Sequence, residues 1–259
     1  MLYRRMPIEA ESPEEYGYDT VSCNLAESSV SDVPLEKIGA DFSKLPLSYG
    51  DHRGLPELRS LLAADAPGLS ADDMLVTPGA AAALFFLHTA LLEKGDHLIV
   101  IHPNYATNLE TPYAIGCEIS KIDLRFEEGF RLDPARIREA IRPGTKLISI
   151  TSPHNPTGTI IPQETIKDLA ALAAEKGCKL LVDETYRELA QGIVPPSAAT
   201  FGPQVITVSS VSKAYGIPGL RIGWIMCSDK ILMQTLLAAK EQVIICNSVL
   251  KRKAGWKDR

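Results

Sequence analysis

The residues with the most chemical potential lie in VSSVSKAYGIPGLRIGW, residues 208–224. A buried-type strand runs out at Val208, then come Ser210, Ser212 and Lys213, with Arg221 eight residues beyond the lysine. A lysine held just past a buried strand suits Schiff-base chemistry, because partial desolvation favours its neutral, nucleophilic amine. An arginine and a serine close by suit a phosphate. The plainer alternative is a glycine-rich surface turn carrying a solvated lysine. KLLVDETY, residues 179–186, delivers Asp183 to the end of an apolar strand, with Tyr186 three residues on. A buried carboxylate there could keep a heterocyclic nitrogen protonated; it could also simply cap the next turn. An acidic Mg²⁺ strand would require a G-x-x-x-x-G-K-[ST] loop, which the chain lacks.

Three more segments carry suitable groups. TPGAAAALFF (77–86) joins a strand end to a helix start, so the backbone at Gly79, Ala80 and Ala81 could cradle a phosphate. It reads equally well as a plain strand–helix loop. HPNYATN (102–108) places Tyr105 where its ring could stack on a planar group or merely pack. SPHNPTG (152–158) is a rigid turn that would aim Asn155 at the same edge. The five histidines form no H-E-x-x-H or other close ligand set, so no metal site is indicated. No G-x-S-x-G nucleophile elbow occurs.

The elements that must position these groups alternate along the chain. Helical patterns at 54–66, 79–95, 105–115, 133–144 and 162–177 fall between apolar strands at 73–77, 97–102, 117–124, 146–151, 178–183, 204–209 and 223–228. Strands alternating with helices of this length imply an α/β fold, a mostly parallel sheet sandwiched by helices. In such sheets ligands bind beyond the carboxyl ends of the strands, where the groups named above fall. Residues 1–45 read as an irregular arm or lead-in, 46–249 as the main domain and 250–259 as an atypical basic tail.

Composition narrows the function classes. The chain has 259 residues, 45% hydrophobic and 23% charged, enough to bury a substantial core. A net charge of -5 points to neither nucleic acid nor an anionic membrane as partner. Five cysteines without a C-x-x-C fit reduced thiols in a cytoplasmic protein. No apolar run reaches the length of a membrane span, and the first residues do not read as a secretory signal.

Taken in order, YGDHRGLPELR, TPGAAAA, HPNY, SPHNPTG, VDETY and SVSKAYGIPGLRIGW resemble the class I/II aminotransferases of pyridoxal-phosphate (PLP) fold type I, from about residue 48 to about 248. The resemblance implies that fold's large domain, PLP as cofactor, a homodimer, and transfer of an amino group between an amino acid and a 2-oxo acid. It implies roles as well. Lys213 would hold PLP as a Schiff base and shuttle a proton. Asp183 would pair with the pyridine nitrogen, and Tyr186 and Asn155 with the ring oxygen. Tyr105 would stack on the ring. Ser210, Ser212, Arg221 and the backbone of Gly79, Ala80 and Ala81 would hold the phosphate and its surroundings, with Tyr49 reaching across a dimer interface.

Two departures stand out. The family continues into a C-terminal small domain that supplies a carboxylate-binding arginine, whereas this sequence ends at Arg259 after LKRKAGWKDR, which implies truncation or a frameshift near residue 249. SCNLAESSV (22–30) corresponds to the family's substrate-side loop but has Ala26 and Glu27 where glycine is common, so no role is assigned there. Two other readings remain open: a lyase, decarboxylase or cyclase of the same fold, and an inactive homologue that only binds PLP or oligomerises.

Overall fold

The computed structural model describes residues 1–39, 43, 45–190, 192 and 194–249. The basic tail expected at 250–259 lies outside them. Seven strands form one sheet: β1 (Met74–Thr77), β2 (His97–His102), β3 (Glu118–Asp123), β4 (Thr145–Thr151), β5 (Lys179–Asp183), β6 (Val205–Ser210) and β7 (Gly223–Met226). Nine α-helices accompany them among the described residues: α1 (Pro7–Ala10), α2 (Pro13–Tyr16), α3 (Leu35–Ile38), α4 (Pro56–Ala64), α5 (Ala80–Leu91), α6 (Thr107–Ile115), α7 (Pro134–Ala140), α8 (Gln163–Lys176) and α9 (Lys230–Glu241). The strand order is β1-β7-β6-β5-β4-β2-β3. All neighbours pair in parallel except β7, which runs antiparallel to both β1 and β6.

The mostly parallel α/β sheet expected from the alternation is present, and its strands show why. Along β2, Leu98 and Val100 point into one apolar cluster and Ile99 and Ile101 into another, because successive side chains face opposite sides of a sheet. A strand buried on both faces therefore reads as a continuous apolar run. The first cluster receives Ala83, Leu84 and Leu87 of α5 and Leu232, Met233 and Leu236 of α9. The second receives Ile137 of α7 and Ile166, Leu169 and Ala173 of α8. Gly177, left-handed at φ 68°, ends α8, and the Asp133 side chain caps α7 by accepting the Ala135 N–H.

The structure departs from the sequence reading in several places, α7 among them, which ends at Ala140 rather than at 144 because Ile141 turns extended. Helix α5 stops at Leu91, short of Gly95, because Leu92 turns extended and leads into the turn before β2. Helix α9 was not anticipated; Asp229 starts it, its carboxylate accepting the N–H groups of Ile231 and Leu232. The first 39 residues are not uniformly irregular but carry α1, α2 and α3, each of four residues. No helix among the described residues is long and apolar enough to cross a membrane.

Candidate active site

Because β7 runs antiparallel, its first residue meets the last residues of its neighbours. Thr77, Gly223 and Ser210 lie in register as one row across β1, β7 and β6. Helix α5 starts directly beyond Thr77, and no side chain caps it. The first bond back to the entry residue runs from the Ala83 N–H to the Gly79 carbonyl, which leaves the N–H groups of Ala80 and Ala81 in the unpaired first turn. A helix start of this kind attracts an anion. Arg221 closes the other side: a Cβ on Gly79 would come within 2.6 Å of its Nη2. Its backbone is left-handed at φ 51°, an uncommon conformation for a non-glycine residue, and its Nη1 donates to the Pro218 carbonyl at 3.1 Å. Ser210 is buried at the row's end, its Oγ accepting the Ser212 N–H at 3.3 Å. Gly79, Ala80, Ser210 and Arg221 thus converge, with Ala81 one residue further along α5.

Asp183 ends β5, one strand beyond β6 in the sheet, and is 4% exposed. Its Oδ1 accepts the Thr185 N–H at 3.0 Å and the Thr185 hydroxyl at 2.6 Å. Burial pushes its carboxyl up, against the pull of those two donors. Tyr186 is reached by the Asn155 amide, whose Nδ2 donates to the phenol oxygen at 3.2 Å. Burial raises the phenols of both Tyr105 and Tyr186, and the Asp183 charge adds to the rise in each, so the three groups share one neighbourhood. Lys213 is half-buried on the turn that leaves β6, the strand between Asp183 and the Gly79–Arg221 cradle. Tyr49 is 79% exposed in the single chain, on the loop ahead of α4; its expected role needs a second copy.

The profile of the family described as aminotransferase class I and II matches residues 36–254, most of the sequence. The chain belongs to the class I and II aminotransferases. The aspartate/prephenate aminotransferase of Thermus thermophilus is 36% identical over 200 residues, which cover 75% of this chain and 52% of that protein. The arginine–pyruvate transaminase of Pseudomonas aeruginosa is 31% identical, over 69% of this chain and 47% of that protein. Among solved structures, a PLP-dependent aminotransferase from Streptococcus suis superposes with a TM-score of 0.86 at 28% identity, covering 96% of this chain and 68% of that one. The aspartate aminotransferase of Thermus thermophilus with maleate gives 0.81 at 31% identity, over 88% and 62%. The chain spans about half the length of the curated relatives it matches.

Several residues in or beside the site carry no local signal that singles them out or were passed over in the sequence. Thr185 holds Asp183, and its place two residues after a strand-end aspartate is a readable turn signal. Asn104 and His154 hold the loops of Tyr105 and Asn155. Glu184 turns the other way from Asp183: its carboxylate accepts the Ala198 N–H and the Ser197 hydroxyl, each at 2.7 Å, and burial pushes it up to about 7 against the opposing charge of Arg187. Ser28 has no local signal at all, because its partner, the Tyr186 hydroxyl at 2.7 Å, lies 158 residues away. Its segment runs beside the lysine turn: the Val30 N–H donates to the Lys213 carbonyl at 3.1 Å and the Val33 N–H to the Gly216 carbonyl at 2.7 Å. Any side chain at Gly216 would overlap the Ser31 carbonyl oxygen. The arm also brings Glu9 to the Tyr105 hydroxyl, 3.2 Å away.

Proposed function

We propose that this chain binds PLP through Lys213 and serves as the cofactor-binding part of an aminotransferase that moves an amino group between an amino acid and a 2-oxo acid. One observation carries the reading. A helix start flanked by the Arg221 guanidinium and a buried carboxylate stand at the same sheet edge, with the lysine turn leaving the strand between them.

The residues suit the group. The uncapped start of α5, Ser210 and the Arg221 guanidinium suit a phosphate, and the absence of a Cβ at Gly79 and Gly223 keeps the cradle open. When bound, PLP supplies a carbonyl that takes an amine and an electron sink for the carbon beside it. Asp183 would face the cofactor's ring nitrogen and favour its protonated form. A carboxylate buried this deeply, with one face already bonded to Thr185, is stable as an anion only beside a positive partner. Tyr186 and Asn155, already bonded to each other, present an O–H and an N–H to a ring oxygen. Tyr105 provides an aromatic face. The Lys213 amine would anchor the cofactor and would serve as the base that moves the substrate's α-proton. Ser212, 9% exposed, directly precedes the lysine, and its N–H is held by the Ser210 Oγ. The exposed Tyr49 supports a homodimer in which one copy completes the other's phosphate site. The five unpaired cysteines accord with a cytoplasmic setting.

The test is spectroscopic. Purified protein mixed with PLP is expected to gain the visible absorbance of the lysine-bound cofactor, and Lys213→Ala is expected to lose it. A screen of amino acids should then bleach that absorbance with at least one of them, releasing the matching 2-oxo acid. A wild-type protein that gains no such absorbance overturns the cofactor reading. One that gains it yet responds to no amino acid overturns the transferase reading for this chain.

A further inference from the structure

We infer that His154 is a positioning residue that sets the Tyr105 ring and the Asn155 amide at a fixed separation, so that a planar cofactor meets both at once. The inference rests on the PLP reading above for its consequence, but its geometry stands on its own.

His154 is 3% exposed and immediately precedes Asn155. Its Nε2 lies 2.8 Å from the carbonyl oxygen of Pro103, 51 residues away and two before Tyr105. A carbonyl only accepts, so Nε2 carries the hydrogen. Nδ1 then accepts from the Thr157 hydroxyl at 2.8 Å, and the Thr159 hydroxyl stands 2.8 Å behind that of Thr157. Both ring nitrogens are therefore used, and the tautomer is set by its partners. Burial lowers the imidazole's pKa, which keeps the ring in this neutral form.

The backbone of the turn is closed around the same residue. The His154 N–H donates to the Thr159 carbonyl at 2.8 Å, and the Gly158 N–H to the His154 carbonyl at 2.7 Å. The imidazole thus joins a rigid turn to the loop of Tyr105. That loop is anchored from beneath as well. The Asn104 Oδ1 accepts the Tyr105 N–H at 2.8 Å, the Asn108 amide at 2.9 Å and the Thr151 hydroxyl at 3.3 Å. Without the imidazole, the two loops would each remain folded while their relative placement loosened. A ring stack and a hydrogen bond to the same planar group tolerate little such loosening.

The experiment compares His154→Leu, which loses both bonds, with His154→Gln, whose amide can still reach the Pro103 carbonyl. With PLP, His154→Leu is expected to weaken binding by on the order of tenfold, the loss of about one hydrogen bond's worth of placement. It should also raise the pH midpoint at which the lysine-bound cofactor's absorbance changes, because a misplaced Asn155 no longer relieves charge on the ring oxygen. His154→Gln should restore part of both effects. Fluorotyrosine labelling of the cofactor-free protein provides a second readout, with resonances assigned by Tyr105→Phe and Tyr186→Phe. His154→Leu should shift the Tyr105 and Tyr186 signals and leave that of Tyr49 in place. If His154→Leu does not fold, Thr157→Val, which removes only the Nδ1 anchor, replaces it in both measurements. Unchanged fluorine resonances in the folded variant overturn the inference, as do an unchanged cofactor affinity and midpoint. Failure of the wild type to gain the absorbance overturns the cofactor reading instead, and the fluorine comparison still decides on His154.

Discussion

Gly223 and Gly79 are packed backbone to backbone: a Cβ on Gly223 would overlap the Gly79 carbonyl carbon and lie 2.7 Å from the Ala80 nitrogen. The start of β7 is thereby seated on the turn that launches α5, and the contact admits no side chain. Gly223→Ala is expected to force that turn outward, costing about 1–3 kcal/mol of stability, the usual range for overpacking a rigid site. The cradle should open with it, so PLP affinity falls more than for an alanine at Gly219, where a Cβ would meet nothing within 4 Å. Urea unfolding and a cofactor titration of both variants check the difference.

Asp183 is buried at a cost that only a positive partner offsets. Its carboxyl is pushed up by burial in the cofactor-free chain. A raised carboxyl contributes stability at pH below its ordinary value and withdraws it as pH rises through the folded-state pKa. The cofactor-free protein therefore bears a cost that grows as pH rises from the ordinary carboxylate range toward that raised pKa. Asp183→Asn keeps an oxygen for the two Thr185 donors and removes the charge. It should raise the urea midpoint of the cofactor-free protein at pH 7. It should also weaken PLP binding by on the order of a hundredfold, the scale of an unpaired buried charge. A variant that loses stability and keeps its cofactor affinity contradicts both assignments.

His88 sits within α5, fully buried, and neither ring nitrogen has a hydrogen-bond partner among the described residues. Burial lowers its pKa from 6.5 to about 3. Below pH 6.5 the unfolded chain takes up a proton that the folded chain refuses, so stability present above that pH is lost as pH falls toward 3. The slope is about 1.4 kcal/mol per pH unit. His88→Leu should flatten this slope between pH 6 and 4 and raise stability at neutral pH, because the unpaired nitrogens go with the ring. Equilibrium unfolding at a series of pH values measures it.

Much of this was legible in advance because it is local. The alternation of apolar runs with helical spacing marked all seven strands to within two residues at either end, and Asp183, Lys213 and the Gly79 turn fell at strand ends where ligands bind. β7, expected over 223–228, ends at Met226, and its antiparallel direction was not readable, since an apolar run carries no sign of its orientation. Helix α9 went unread although its Asp229 cap is a standard start signal. Ser28 was beyond reach, because nothing near it in the chain points to Tyr186.

The sequence by itself determined the identity and order of the candidate groups: a lysine three residues after Ser210, an aspartate at the end of an apolar strand, an arginine eight past the lysine. Their order along the chain and their strand-end positions follow from short-range periodicity, which any folding of these segments must respect. The tertiary structure decided which groups touch. It put Gly223 against Gly79, the Asn155 amide on the Tyr186 phenol, and His154 on the Pro103 carbonyl. Those contacts join residues 31 to 144 positions apart, and the sheet order that brings them together arises from burying both faces of the strands at once.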